Sequence, residues 1–192
     1  MDKDRPSDEE ELWTRALLKE SDRGCVIFGA EVLNEYLEQL LRSFLRDDQP
    51  SVVDPLFQTY GPLASFSARI RLCFSLKLIT KDLRHRLEIV RKMRNIFAHD
   101  WRPIDFEETQ LKELLEDLIG PPSGQKDLVE DQTMPGFGFT REQLVRRLAF
   151  ALSLSRMVGK LESYTRFARQ GKDIRTIVML AEERDKDELD LS

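Results

Sequence analysis

The residues with most chemical potential fall in one sextet, Arg94-Asn95-Ile96-Phe97-Ala98-His99, followed by Asp100. A guanidinium is always charged and presents a fork that matches phosphate. An imidazole titrates near neutrality and can move a proton. Arg94, Asn95 and His99 are therefore the residues through which this chain could do chemistry. On an unbroken helix, however, positions 94 and 99 lie about 140° apart at 100° per residue. Catalysis thus requires the helix to loosen near Ala98, or one partner residue to come from another subunit. The same residues also have a purely structural reading. Asn95 and His99 are four apart on one face, and a helix C-terminus favours a cationic or donating imidazole. Asp100 would then pair with His99 or Arg102, while Trp101 and Pro103 pack over the end.

The element that must position this sextet is a helix starting after Thr80, a good N-cap. Leu83, Leu87, Val90, Met93 or Arg94, and Phe97 recur at helical spacing, with Ile89 and Ile96 widening the stripe. Arg84, Glu88, Arg91 or Lys92, Asn95 and His99 form the opposite, polar line. Around it the spacing predicts an all-α protein of six to eight helices. A helix after the Asp8/Glu11 capping pair carries Leu12, Trp13, Ala16 and Leu17, and Arg23-Gly24 breaks it. The next runs from 25 to 46 with Ile27, Ala30, Leu33, Leu37, Leu40, Leu41 and Phe44 inward. A short turn begins at Asp54-Pro55 and closes at Gly61-Pro62, glycine supplying a left-handed residue. Residues 63–78 form a hairpin with the Thr80 helix, and Asp105 with Glu108 caps a helix over 106–118.

Residues 119–139 are rich in Gly and Pro and aperiodic, which marks a long connection. Thr140 with Gln143 then opens a long helix over 141–169 with Leu144, Leu148, Leu152 or Phe150, Met157, Leu161, Tyr164 and Ala168 as its stripe. A short element at Ile174, Ile177 and Val178 and an acidic tail from Glu182 complete the chain. The organisation expected is a core at 8–118, a linker at 119–139 and C-terminal helices at 140–184 that pack on the core or on a partner.

Composition narrows the classes. The chain has 192 residues, 41% hydrophobic and 34% charged, which suits one globular core. No apolar run reaches the roughly 20 residues of a membrane span, and the acidic start is unlike a secretory leader. Cys25 and Cys73 stand alone in apolar settings, as buried free thiols of a reducing cytoplasm do. With two histidines and no ligand spacing, neither a metal nor a cofactor is expected. Net charge is −5 but uneven. Residues 1–50 hold 7 basic and 13 acidic side chains, residues 69–102 hold 10 and 3, and residues 141–175 hold 9 and 3. Arg141, Arg146, Arg147 and Lys160 are the candidates for a nucleic-acid-binding face on the late helix. Its aromatics point into the apolar stripe, which favours a solvated face over a stacking groove.

The pattern Val53, Pro55-Leu56, Gly61-Pro62-Leu63, Ser67, Arg69, Leu72, Leu76 and Ile79 resembles the mannitol operon repressor (MtlR) family over roughly residues 20–120. The resemblance implies an all-helical, transcription-associated regulator that works through protein partners, with no recognisable helix-turn-helix. The Arg94…His99 sextet separately resembles the Arg-x(4–6)-His motif of HEPN-type proteins, many of them metal-independent ribonucleases. That likeness would make Arg94 the phosphate clamp, Asn95 its polar neighbour and His99 the proton handler. Ser65 and Ser67 lack a triad, and Gly136-Phe137-Gly138-Phe139 lacks the strand-then-helix setting of a phosphate loop. The expectation is a cytoplasmic, non-enzymatic regulator acting by protein–protein contact, as a homodimer, with direct nucleic-acid contact an open question. The alternatives are a HEPN-like ribonuclease or RNA-binding toxin using Arg94 and His99, and an immunity protein whose acidic N-terminal half masks a basic nuclease.

Overall fold

The computed structural model describes residues 16–17, 19–45, 49–120 and 141–190, with side chains described at 143–184 in the last stretch. The expected helix after Asp8 falls mostly outside these residues, as do Thr140, the Phe-Gly pairs at 136–139 and nearly all of the 119–139 connection. Among the described residues seven helices follow in order: α1 Asp22–Arg42, α2 Pro50–Phe57, α3 Phe66–Ser75, α4 Lys81–His99, α5 Thr109–Ile119, α6 Arg141–Arg169 and α7 Ile174–Asp190. No strand occurs among the described residues, so the fold is all-α.

The chain forms two compact units, one of residues 1–30 and 92–156, the other of 31–91 and 157–192. Helices α1, α4 and α6 each contribute to both. In the first unit the buried side chains include Val26 and Ala30 of α1, Met93 and Phe97 of α4, Leu111, Leu115 and Leu118 of α5, and Phe150 and Leu154 of α6. Phe106 joins them from the loop, with Phe97 edge-on at 6.1 Å and Phe150 at 5.9 Å between ring centroids. The second unit buries Leu33, Leu37, Leu40 and Leu41 of α1, Ile70 and Cys73 of α3, Leu83, Leu87 and Val90 of α4, Leu161 of α6, and Ile174 and Val178 of α7.

Caps decide where these helices begin. Thr80 Oγ1 accepts from Leu83 N at 3.2 Å, as its hydroxyl predicts. Ser21 Oγ accepts from Gly24 N at 3.1 Å, so Arg23-Gly24 lies in the first turn of α1 and does not break a helix. Ser65 accepts from Ala68 N, which starts α3 three residues later than Leu63. That helix ends at Ser75. Lys77 turns left-handed at φ 58°, Lys77 N donates to Phe74 O and Leu78 N to Cys73 O. This is a Schellman closure with lysine where glycine is usual.

Other boundaries also moved. Pro50, whose missing N–H needs no partner in a first turn, opens α2, and Pro55 sits inside it. Asp105 Oδ1 accepts from Glu107 N at 2.9 Å in a local turn, so α5 waits until Thr109. Helix α7 is a full 17 residues where a short element was expected. Gly61 is needed for a different reason from the one expected. The described glycines with positive φ are Gly120 and Gly171. At Gly61 a Cβ would meet Leu56 O and Pro55 O, each at 2.3 Å.

Candidate functional site

Helix α4 runs unbroken through His99, and Asp100 N still donates to Ile96 O at 3.0 Å. The loosening near Ala98 that catalysis requires is therefore not what the backbone does. Met93, not Arg94, takes the core position. Arg94 is half-buried, its Nη1 3.4 Å from Asn95 Oδ1, while His99 is exposed. The helix thus leaves the guanidinium and the imidazole on different faces, as the 140° separation implies.

The loop that follows is held from α1. Arg23 Nη2 donates to Asp100 O at 2.8 Å and to Arg102 O at 2.6 Å, closing off two carbonyls just past the end of α4. Next to it, Asp22 accepts from Phe106 N at 2.9 Å and forms a buried ion pair with Arg147 of α6. Asp100 pairs with Arg102 and not with His99: Arg102 Nη2 lies 2.6 Å from Asp100 Oδ2. The Arg102 guanidinium and the Arg102 backbone N–H hold the Asp100 carboxyl down to about 2. Two adjacent α1 residues thus fix the loop 100–106. Trp101, expected to pack over the helix end, is 88% exposed instead. With both neighbours' carbonyls tied inward, its indole is directed to solvent. Pro103 is exposed as well.

The described candidates on the long helix, Arg146, Arg147 and Lys160, each have a carboxylate partner. Arg147 is buried against Asp22, and Arg146 pairs with Glu107, both in the first unit. Lys160, in the second unit, lies 3.5 Å from Asp82. Arg141 opens α6, and its side chain is outside the described residues. Among the described residues, no three His, Cys, Asp or Glu side chains gather as metal ligands would. No described helix is long and apolar enough to cross a membrane.

Comparison with known proteins gives this architecture a lineage. The family model described as MtlR, mannitol repressor, matches residues 9–162. The chain belongs to the mannitol repressor family. Two curated relatives, the mannitol operon repressors of Escherichia coli K12 and of Escherichia coli O6:H1, are each 25% identical over 146 residues, covering 72% of this chain and 74% of theirs. A solved structure titled as the X-ray structure of the MtlR–HPr complex from Escherichia coli aligns with a TM-score of 0.62 at 20% identity. It covers 78% of this chain and 98% of that one, and it shares the fold.

The residues that carry the mannitol repressor resemblance have structural work in the second unit. Leu63 N donates to Leu56 O at 2.8 Å, which folds the Gly61-Pro62 turn back on α2. Arg69 is 5% exposed. It donates to Leu63 O at 2.8 Å and Asn34 O at 3.1 Å, and pairs with Glu38 at 2.6 Å. One guanidinium therefore ties the turn to α1. Sequence reading missed this role, and it missed Asp22, Arg23 and the Asp22–Arg147 pair. A signal for Arg147 was present: it falls on the same stripe as Phe150, Ala151 and Leu154, three, four and seven residues on. A charge on a buried stripe calls for a buried partner.

Proposed function

We propose that this protein is a non-enzymatic, cytoplasmic regulator that lowers transcription by holding a protein partner, with the surface around Trp101 as the contact. The observation that carries the reading is the mannitol repressor match across residues 9–162. The geometry adds an anchor. Exposed tryptophan on a fixed loop is the kind of residue that dominates protein interfaces, because its large area is ordered before binding. The MtlR of the similar structure is in complex with HPr, so the host's own HPr is the first partner to test. The nuclease alternative draws no support from the unbroken α4. A two-fold dimer belongs to the same proposal and is read by sedimentation.

Labelled host HPr is titrated with the full chain and with Trp101→Ala. The variant should melt like the wild type and bind about tenfold or more weakly, the scale of an interface hot spot. Equal binding by both would move the contact off this loop. Capture from the native host followed by mass spectrometry identifies any other partner. In parallel, total RNA is incubated with the protein in EDTA beside His99→Ala and Arg94→Ala. The expected result is intact RNA throughout. Cleavage by the wild type that vanishes in both variants would overturn the non-enzymatic reading.

A further inference from the structure

The second unit holds a groove that the regulator reading does not use. It opens between the end of α3, the start of α4 and the first turns of α7, is half-open to solvent, and has a volume of about 520 Å³. That falls within the roughly 300–1,000 Å³ typical of small-molecule sites. Its apolar lining is Phe74, Ile79, Val178 and Met179. Met179 is 52% exposed, so part of this apolar lining faces solvent. Lys77, Lys81 and Arg175, all exposed, supply three cations to the lining against the single carboxylate of Glu182.

Two details indicate the sign of the occupant. Glu182 Oε1 accepts from Lys81 N at 2.8 Å, so a carboxylate of the chain itself already rests where the first turn of α4 favours negative charge. Lys77 holds a left-handed backbone that glycine would adopt without strain, and in doing so keeps an amine in the lining. An apolar lining with surplus positive charge complements a molecule with an apolar body and one anionic head. A half-open groove of this volume has room for one compact body.

We propose that this groove binds a small amphipathic organic anion. Its apolar body rests on Phe74, Ile79, Val178 and Met179, and its carboxylate or sulfonate lies among Lys77, Lys81 and Arg175.

The test uses the full chain and 8-anilinonaphthalene-1-sulfonate, an aromatic body with one sulfonate, read by fluorescence. Octanoate competes as a second anion, and octyltrimethylammonium carries the same tail with the opposite head. Binding should saturate at one dye per chain, with displacement by octanoate and not by the cation. Arg175→Glu should weaken the dye about five- to tenfold, and Glu182→Gln should tighten it by about two- to fivefold. Lys77→Gly is the decisive variant, because it should raise the melting temperature while weakening the dye, so a folding defect cannot explain the loss. The proposal is overturned if the cation displaces the dye as well as octanoate does, or if Lys77→Gly binds like the wild type. Displacement by an acidic amphipathic peptide, with octanoate inert, would also overturn it in favour of a protein ligand.

Discussion

At the scale of single residues, the largest energetic stake is the buried pair of Asp22 and Arg147, whose side chains are 2% and 4% exposed. A buried pair gains little over well-packed apolar groups, but removing one partner strands the other charge away from water. Asp22→Asn keeps an acceptor for Phe106 N but removes the charge and turns an amide N–H toward the Arg147 guanidinium. It should cost about 3–5 kcal/mol in urea denaturation, as should Arg147→Met. The double variant should cost clearly less than the two singles together, because no charge is then left bare. Additive losses would show that the pair is not a coupled unit. Asp100 makes the milder, pH-dependent case. Its carboxyl is held down to about 2 by Arg102, so the folded state binds its proton less readily than the unfolded chain does. The stabilisation is present above the usual carboxylate range and fades as pH falls from about 4 toward 2. An NMR titration should find the Asp100 midpoint near 2, and Arg102→Ala should raise it toward the ordinary range without fully reaching it, because the residue-102 N–H and Arg23 still favour the carboxylate.

At the scale of elements, glycines give a paired prediction. Gly61→Ala forces a methyl to within 2.3 Å of two backbone carbonyls, and should cost about 1–3 kcal/mol and lower the melting temperature. Gly159, inside α6, has nothing within 4 Å of the same added atom. Gly159→Ala should therefore stabilise by about 0.5–1 kcal/mol through helix propensity alone. The contrast explains what could be read in advance. The inward stripe of α4, Leu83, Leu87, Val90, Met93 and Phe97, follows from period alone, and all five are buried. These helix starts depend on local hydroxyls: Thr80 is legible because the stripe begins beside it, whereas Ser21 and Ser65 stand beside Arg23-Gly24 and Gly61-Pro62, which are stronger breaks in the sequence. The divergence of Arg94 and His99 was implicit in 100° per residue. The clamp on the next loop was not, since Arg23 and Asp100 are 77 residues apart and Asp22 and Arg147 are 125 apart. Such pairings belong to the packed chain and leave no periodic trace.

At the scale of the whole molecule, three helices lend turns to both compact units. Melting the α1 turns that carry Asp22 and Ala30 removes N-terminal hydrogen-bond partners from the turns that carry Leu33 and Leu37, and helical order is cooperative along one segment. Each unit also contains one buried thiol, Cys25 in the first and Cys73 in the second. Cys25 Sγ donates to Leu17 O at 2.8 Å. Burial pushes both thiols up to about 12, so almost no thiolate exists at neutral pH while the chain is folded. Labelling by a disulfide reagent must then wait for opening, and its rate reports the opening of the unit that holds the thiol. If the shared helices make unfolding one event, Cys25→Ala and Cys73→Ala chains should label their remaining thiol at the same rate. Both rates should rise in parallel with urea. A fast Cys25 beside a slow Cys73, or the reverse, would show that one unit opens while the other stays folded.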